Sequence, residues 1–105
     1  MQLILLLKKL NKVYDCIKKR RSIRKYKDKH VEWDKIGRIL DSGRWAPSAG
    51  NLENWKLIVI TNLDERRKIA EACLQQRWIE SAPVIIVVLG DPERAEMLYG
   101  SRGFR

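Results

Sequence analysis

The sequence is poor in the residues that bind metals or form disulfide frameworks. It has two cysteines, Cys16 and Cys73, and one histidine, His30, among 105 residues. Two cysteines without CxxC spacing do not make a disulfide scaffold, and a lone histidine beside them leaves too few ligands for a zinc site. We therefore expect no metal, reduced thiols and a cytoplasmic location.

An N-terminal apolar run long enough to cross a bilayer is also missing. Leu3 to Leu7 are apolar, but Lys8 and Lys9 end the run, far short of the ~20 residues that a transmembrane helix needs. A secretory signal carries positive charge before its apolar core and a small-residue cleavage site after it, whereas here the lysines follow. These features predict a soluble protein without a membrane partner.

Low-complexity tracts, internal repeats and an evident nucleophile or acid–base pair are absent too. The 45% apolar content is that of a globular protein, and the length corresponds to a single domain over residues 1–105. A domain this short tends to be marginally stable alone. We therefore expect dimerisation or a bound cofactor to stabilise it.

Helices are predicted from apolar residues that recur at three- and four-residue steps. Leu3 to Ile17 form an amphipathic helix of about four turns, and a second helix starts at Trp33 and ends near Gly43. Asn62 followed by Glu65 resembles a capping arrangement for a third helix. The remaining helical signals are Ile69 to Leu74 in that third helix and Asp91-Pro92 at the start of a fourth.

Two strands are predicted between these helices. Trp55 to Ile60 is rich in branched residues, and Ala82 to Leu89 is apolar throughout, which is typical of a strand buried on both faces. Two buried strands are too few for a stable sheet. The fold class is therefore α+β, with helices packed on a small sheet that is incomplete without a partner chain or a missing C-terminal half.

Residues 18–30, which we call the basic segment, carry most of the net charge. They include eight Lys or Arg and one Asp, about +7, while the whole chain is +9. Arg20, Ser22 and Arg24 would reach one side together if this segment is extended. Arginine forks and a hydroxyl suit phosphate, so one interpretation is a grip on the phosphate of a small ligand.

Two other interpretations of the basic segment remain open. It can be a solvated basic face without a ligand, or a surface that binds nucleic acid through charge. The polar loop between Arg44 and Trp55 favours a pocket, because Pro47, Ser48 and Gly50 let a ligand approach the backbone. We expect its two flanking tryptophans, Trp45 and Trp55, to be core anchors rather than stacking groups.

These residues resemble the FMN-dependent nitroreductase family. The resemblance covers residues 12 to 90. Its motifs are Arg-Arg-Ser-Ile-Arg after an N-terminal helix, Ala-Pro-Ser-Ala-Gly-Asn-Leu-x-x-Trp further on, and two apolar strands around a helix. The resemblance implies a homodimeric α+β flavoprotein with FMN at the subunit interface. The chain resembles only the N-terminal half of that fold, since the long central helix and the C-terminal basic residues of the family have no counterpart.

The family motif implies a set of cofactor-binding residues. Arg20, Arg21 and Ser22 match the positions that hold the phosphate and ribityl end of FMN. Arg24 matches a basic residue near the pyrimidine edge of the flavin, and Arg77 a further one facing the ring. The loop that reaches the flavin from the other protomer is matched by Pro47, Ser48, Ala49 and Asn51.

The resemblance also implies an activity, namely hydride transfer from NAD(P)H through FMN to nitroaromatic or quinone-like acceptors. Flavin supplies that redox chemistry, while the protein supplies placement and electrostatics. Glu53 and Asn54 depart from the family's Gln-Pro before the tryptophan, which affects contacts on the substrate side. Two alternatives are a basic nucleic-acid-binding domain and a truncated family member that does not turn over.

Overall fold

The computed structural model of the chain describes residues 2–48 and 55–99. Within those ranges, the elements in chain order are α1 (Gln2–Lys19), α2 (Trp33–Arg44), β1 (Trp55–Ile60), α3 (Leu63–Ala72), a 3-10 turn (Arg77–Ile79), β2 (Ile85–Gly90) and α4 (Pro92–Tyr99). This arrangement confirms the predicted α+β class. None of the helices in these ranges is long and apolar enough to span a membrane.

Local sequence signals explain where α3 begins and ends. The Asn62 side chain accepts hydrogen bonds from the backbone N–H groups of Asp64, at 2.9 Å, and Glu65, at 3.2 Å. This confirms the predicted cap, which satisfies two of the donors that a helix start leaves unpaired. The helix ends at Ala72, earlier than predicted, because Leu74 and Gln75 adopt left-handed backbone conformations with φ of 61° and 56°.

The sheet consists of β1 and β2 in antiparallel pairing, with Trp55 opposite Gly90 and Ile60 opposite Ile85. The predicted bounds of β1 are confirmed, but the predicted start of β2 at Ala82 is wrong, since the strand begins at Ile85. Pro83 has no N–H to donate to a ladder, and the carbonyl of Ala82 already accepts a hydrogen bond from Arg66. Residues 82–84 therefore precede the strand.

The chain buries few apolar side chains. Ile36 and Ala70 are 2% exposed and Ala82 is 9% exposed, and these are the buried apolar residues of the described ranges. The predicted burial of β2 on both faces is wrong, because Val88 and Leu89 are exposed. The sheet has two strands, and the helices of the described ranges do not cover both of its faces. The prediction of an incomplete half-fold agrees with this small core.

Candidate functional site

The basic segment begins in the last turn of α1 with Lys18 and Lys19, and it has no regular secondary structure from Arg20 onward. Every residue of the segment is exposed. Its first part is fixed by the end of the helix, where the Arg20 N–H donates to the Cys16 carbonyl at 3.1 Å. The positive charge therefore lies on the surface, beside the negative end of the α1 dipole.

Arg20 and Ser22 come together in the structure, whereas Arg24, which was predicted to reach the same side, lies against Trp78. The Arg20 guanidinium donates to Ser22 Oγ at 3.5 Å. Because Ser22 accepts this bond, its own hydroxyl proton is available for a second acceptor. A guanidinium and a hydroxyl that converge on one point make a suitable donor set for a phosphate group.

Arg21 bonds back to the end of α1. Its Nη1 donates to the carbonyl oxygens of Lys18, at 2.7 Å, and Arg20, at 2.9 Å. These are carbonyls at the end of α1, which lack partners within the helix. Arg21 therefore caps α1 and shapes the turn that carries Ser22, and its contact with a cofactor stays a prediction.

Arg24 and Tyr26 lie against Trp78, a residue that sequence reasoning did not select. The Arg24 guanidinium carbon is 5.8 Å from the centre of the Trp78 ring, within the range of a cation–π contact. The Tyr26 and Trp78 rings stack with centroids 6.3 Å apart and an interplanar angle of 27°. Arg24 is thereby brought to the 3-10 turn that carries Arg77.

The 3-10 turn is held in place by Arg66 of α3. Its Nη1 donates to the carbonyls of Glu80, at 2.8 Å, and Ala82, and its Nε donates to the Thr61 carbonyl at 3.1 Å. No sequence signal points to Arg66 or Trp78, because each acts through contacts with residues distant in the chain. The sequence shows only that a tryptophan follows Arg77.

A cavity of about 410 Å³ lies between the basic segment and the 3-10 turn. Cations and anions both line it: the cations are Arg66, Arg67 and Arg77, and the anions are Asp28 and Glu80. Arg67 is 3.8 Å from Glu80 and 3.7 Å from Asp64. The acidic residues balance much of the positive charge here, so the cavity is less suited to a phosphate than the Arg20–Ser22 pair.

Glu32, which precedes α2, lines a cavity together with Lys35 and with Tyr26, Lys27 and His30 of the basic segment. Hydrogen bonding with the backbone and then with the Lys35 ammonium, 3.0 Å away, lowers the pKa of its carboxyl below the ordinary value. Both groups are well exposed. This ion pair belongs to the first turn of α2, and His30, the last residue of the basic segment, makes a smaller contribution in the same direction to the pKa of Glu32.

The described part of the predicted loop, residues 45–48, directly follows α2. Pro47 lines a cavity of about 250 Å³ with Ala46, Trp55 and Val88, and Ser48 is half-buried. Ala49 and Asn51 lie outside the described residues. Trp55 is half-buried, but Trp45 is 81% exposed, so its predicted role as a core anchor is wrong in this chain.

The comparison with known proteins agrees with the resemblance. The model of the Nitroreductase family matches residues 17–105. A protein from Thermus thermophilus named NADH dehydrogenase is 39% identical over 77 residues, which are 73% of this chain and 38% of that protein. A Bacillus subtilis protein named as an NAD(P)H FMN reductase is 31% identical over 88 residues, 84% of this chain and 35% of that protein.

A solved structure gives the same result for the fold. An FMN-dependent nitroreductase from Clostridium difficile R20291 superposes with a TM-score of 0.71 at 35% identity. The match covers 76% of this chain and 47% of that structure. The chain thus spans between about a third and a half of the length of the proteins it matches.

Proposed function

The chain belongs to the nitroreductase family, and from this premise we propose that it is the FMN-binding part of an NAD(P)H-dependent oxidoreductase. Residues 1–105 would form a single domain that corresponds to the N-terminal part of the family fold. The observation that carries the proposal is the contact between Arg20 and Ser22 at the end of α1. It supplies a charged donor and a hydroxyl donor at the position where the family motif expects a phosphate.

Each proposed cofactor residue has a distinct task. Arg20 and Ser22 bind the FMN phosphate, and Arg21 holds the turn at the end of α1 while contacting the ribityl end. Arg24 lies near the pyrimidine edge, where a cation stabilises negative charge on the ring, and Arg77 faces the ring from the 3-10 turn. The loop residues from the second protomer are Pro47, Ser48, Ala49 and Asn51.

Bound FMN would accept hydride from NAD(P)H and pass electrons to an acceptor. The protein's own residues bind the phosphate, orient the ring and hold positive charge beside it. We propose nitroaromatic or quinone-like compounds as acceptors, because the family resemblance implies them. The free, exposed cysteines Cys16 and Cys73 are compatible with the reducing cytoplasm.

A homodimer is part of the proposal. Large apolar side chains of α1 are exposed, among them Ile17 at 68% and Val13 at 59%. Exposed apolar faces of this kind mark interaction surfaces. A second copy of the chain would cover α1 and bring the Pro47 loop of one protomer toward the basic segment of the other.

Nucleic acid is a less suitable partner than FMN. Proteins that bind single strands combine positive charge with aromatic rings open for base stacking. Tyr26 is the aromatic residue of the basic segment, and its ring already stacks on Trp78. A nucleic-acid role would give retention on DNA that weakens steeply with salt.

The proposal is tested by adding FMN to the purified chain, removing free flavin by gel filtration and recording the visible absorbance of the protein fraction. We expect bound flavin with the wild-type chain and with Lys12→Gln, which removes a positive charge from α1 outside the basic segment. Arg20→Gln should lose most of it. Colourless wild-type protein would contradict the proposal.

Turnover is measured separately from binding. NADH and NADPH are offered to the flavin-loaded chain with a quinone or a nitroaromatic acceptor, and their oxidation is followed. Acceptor-dependent oxidation is the expected result. Flavin that stays bound without any oxidation would assign the chain to the alternative of a family member without turnover.

A further inference from the structure

Trp78 links the basic segment to a part of the chain that is distant in sequence. The segment's polar contacts are local, since Arg20 meets Ser22, Arg21 meets the end of α1, and the Tyr26 hydroxyl donates to the Ile23 carbonyl at 2.8 Å. Of its three ring contacts, Lys18 lies over the nearby Tyr14 ring of α1, and the other two, from Arg24 and Tyr26, go to Trp78. Without Trp78, the segment would keep mainly contacts between near neighbours.

The position of Trp78 is set independently of the basic segment. The 3-10 turn closes with hydrogen bonds from Ile79 N–H to Gln76, at 3.0 Å, and from Glu80 N–H to Arg77, at 3.2 Å. Arg66 then fixes the carbonyls that follow the turn. Trp78 is half-buried, and the turn that carries it is joined to α3 by the hydrogen bond from Arg66 to the Glu80 carbonyl.

We propose that Trp78 is a positioning residue that holds the basic segment in its phosphate-binding arrangement. Tyr26 and Arg24 on the ring, together with the bond from Tyr26 to Ile23, fix the turn directly after Ser22. The donors then need less ordering when a phosphate arrives, and binding loses less conformational entropy. The inference rests on the proposed function, because the phosphate is that of FMN.

The test compares FMN with riboflavin, which lacks the phosphate. Dissociation constants for both flavins are measured by fluorescence titration with wild type, Trp78→Ala and Trp78→Phe. Loss of one stacked pair and one cation–π contact should lower the preference for FMN over riboflavin about tenfold in Trp78→Ala. Trp78→Phe keeps a ring and should stay within about threefold of wild type.

Two controls separate positioning from general damage. Trp33→Ala removes a tryptophan that is 61% exposed and should leave the preference unchanged. Tyr26→Leu breaks the stacked pair from the other side without altering the 3-10 turn, and it should lower the preference about fivefold. It replaces Trp78→Ala if circular dichroism shows that variant to be unfolded. Equal weakening of FMN and riboflavin in both variants would overturn the inference.

A second readout needs no flavin. Trypsin cleaves after Lys and Arg, of which the basic segment has eight, so cleavage there reports how well the segment is held. We expect several-fold faster cleavage in Trp78→Ala and Tyr26→Leu but not in Trp33→Ala. Unchanged cleavage would contradict the positioning role. If wild type binds neither flavin, the proposed function fails, and cleavage alone then decides whether Trp78 holds the segment.

Discussion

The region around α3 and the region around α1 differ in how far the chain itself buries their apolar side chains and pairs their polar groups. Ala70 of α3 is 2% exposed, and Arg66 bonds three backbone carbonyls around it. On α1, Ile17 is 68% exposed and Tyr14 58%. The first region is stabilised by its own sequence, whereas the second has an apolar face that only another surface can bury. The proposed phosphate grip lies between them and depends on both.

The largest effect is expected from Arg66→Met, which removes hydrogen bonds from the well-paired region around α3. It leaves the carbonyls of Glu80 and Ala82 without their donor, and hydrogen bonds to charged groups contribute about 1.5–3 kcal/mol. We expect the free energy of unfolding to fall by about 3 kcal/mol in urea denaturation. Arg67→Met is the matched control, because Arg67 is 55% exposed with ion pairs at 3.7 and 3.8 Å, and it should cost less than about 1 kcal/mol. Equal losses would erase the difference between the two arginines.

Ile17→Glu tests the region around α1, whose apolar face is exposed. A charge on the apolar face of α1 should leave the unfolding of the monomer almost unchanged, since Ile17 is exposed there. It should weaken self-association by about 2 kcal/mol or more, roughly 30-fold, because the charge would be desolvated at the interface. Sedimentation equilibrium measures the association, and Lys12→Glu serves as the control on the other face of α1. A monomeric wild type would contradict the proposed homodimer.

Asn62→Ala is a second, smaller change in the region around α3. It removes the acceptor for two backbone N–H groups at the start of α3. Caps of this kind contribute about 1 kcal/mol, so the midpoint of urea unfolding should fall accordingly. Thr61→Ala, one residue earlier, is a suitable control. A loss in the control as large as that in Asn62→Ala would argue against the cap.

The smallest effect concerns pH and the first turn of α2. Because the pKa of Glu32 is lowered in the folded chain by backbone and Lys35 hydrogen bonding, its ionised form stabilises the fold above its ordinary value of 4.5. That contribution disappears as pH falls through the lowered pKa. Glu32→Gln should therefore melt slightly below wild type at pH 7, and the difference should vanish once the pH is well below the lowered pKa. A difference that persists in acid would contradict this assignment.

Local signals in the sequence predicted much of this fold. The spacing of apolar residues in α1, the Asn62 cap and Pro92 at the start of α4 each depend on neighbouring residues, and the structure agrees with them. The start and burial of β2 were predicted wrongly, because they depend on Arg66 and on which surfaces cover the sheet. Such long-range contacts leave no periodic pattern.

The candidate site divides in the same way. The Arg20–Ser22 contact was predictable, since it joins residues two positions apart. The role of Trp78 was not, because it depends on the 3-10 turn meeting a segment that lies about fifty positions earlier in the sequence. Sequence motifs therefore pointed to Arg20 and Ser22, the proposed phosphate donors, but not to Trp78.

The most direct test of the phosphate grip is a crystal structure of the chain with FMN. The account predicts the FMN phosphate within hydrogen-bonding distance of the Arg20 guanidinium and Ser22 Oγ, with Arg24 and Tyr26 still against Trp78. A phosphate bound elsewhere, with Arg20 and Ser22 facing solvent, would contradict it.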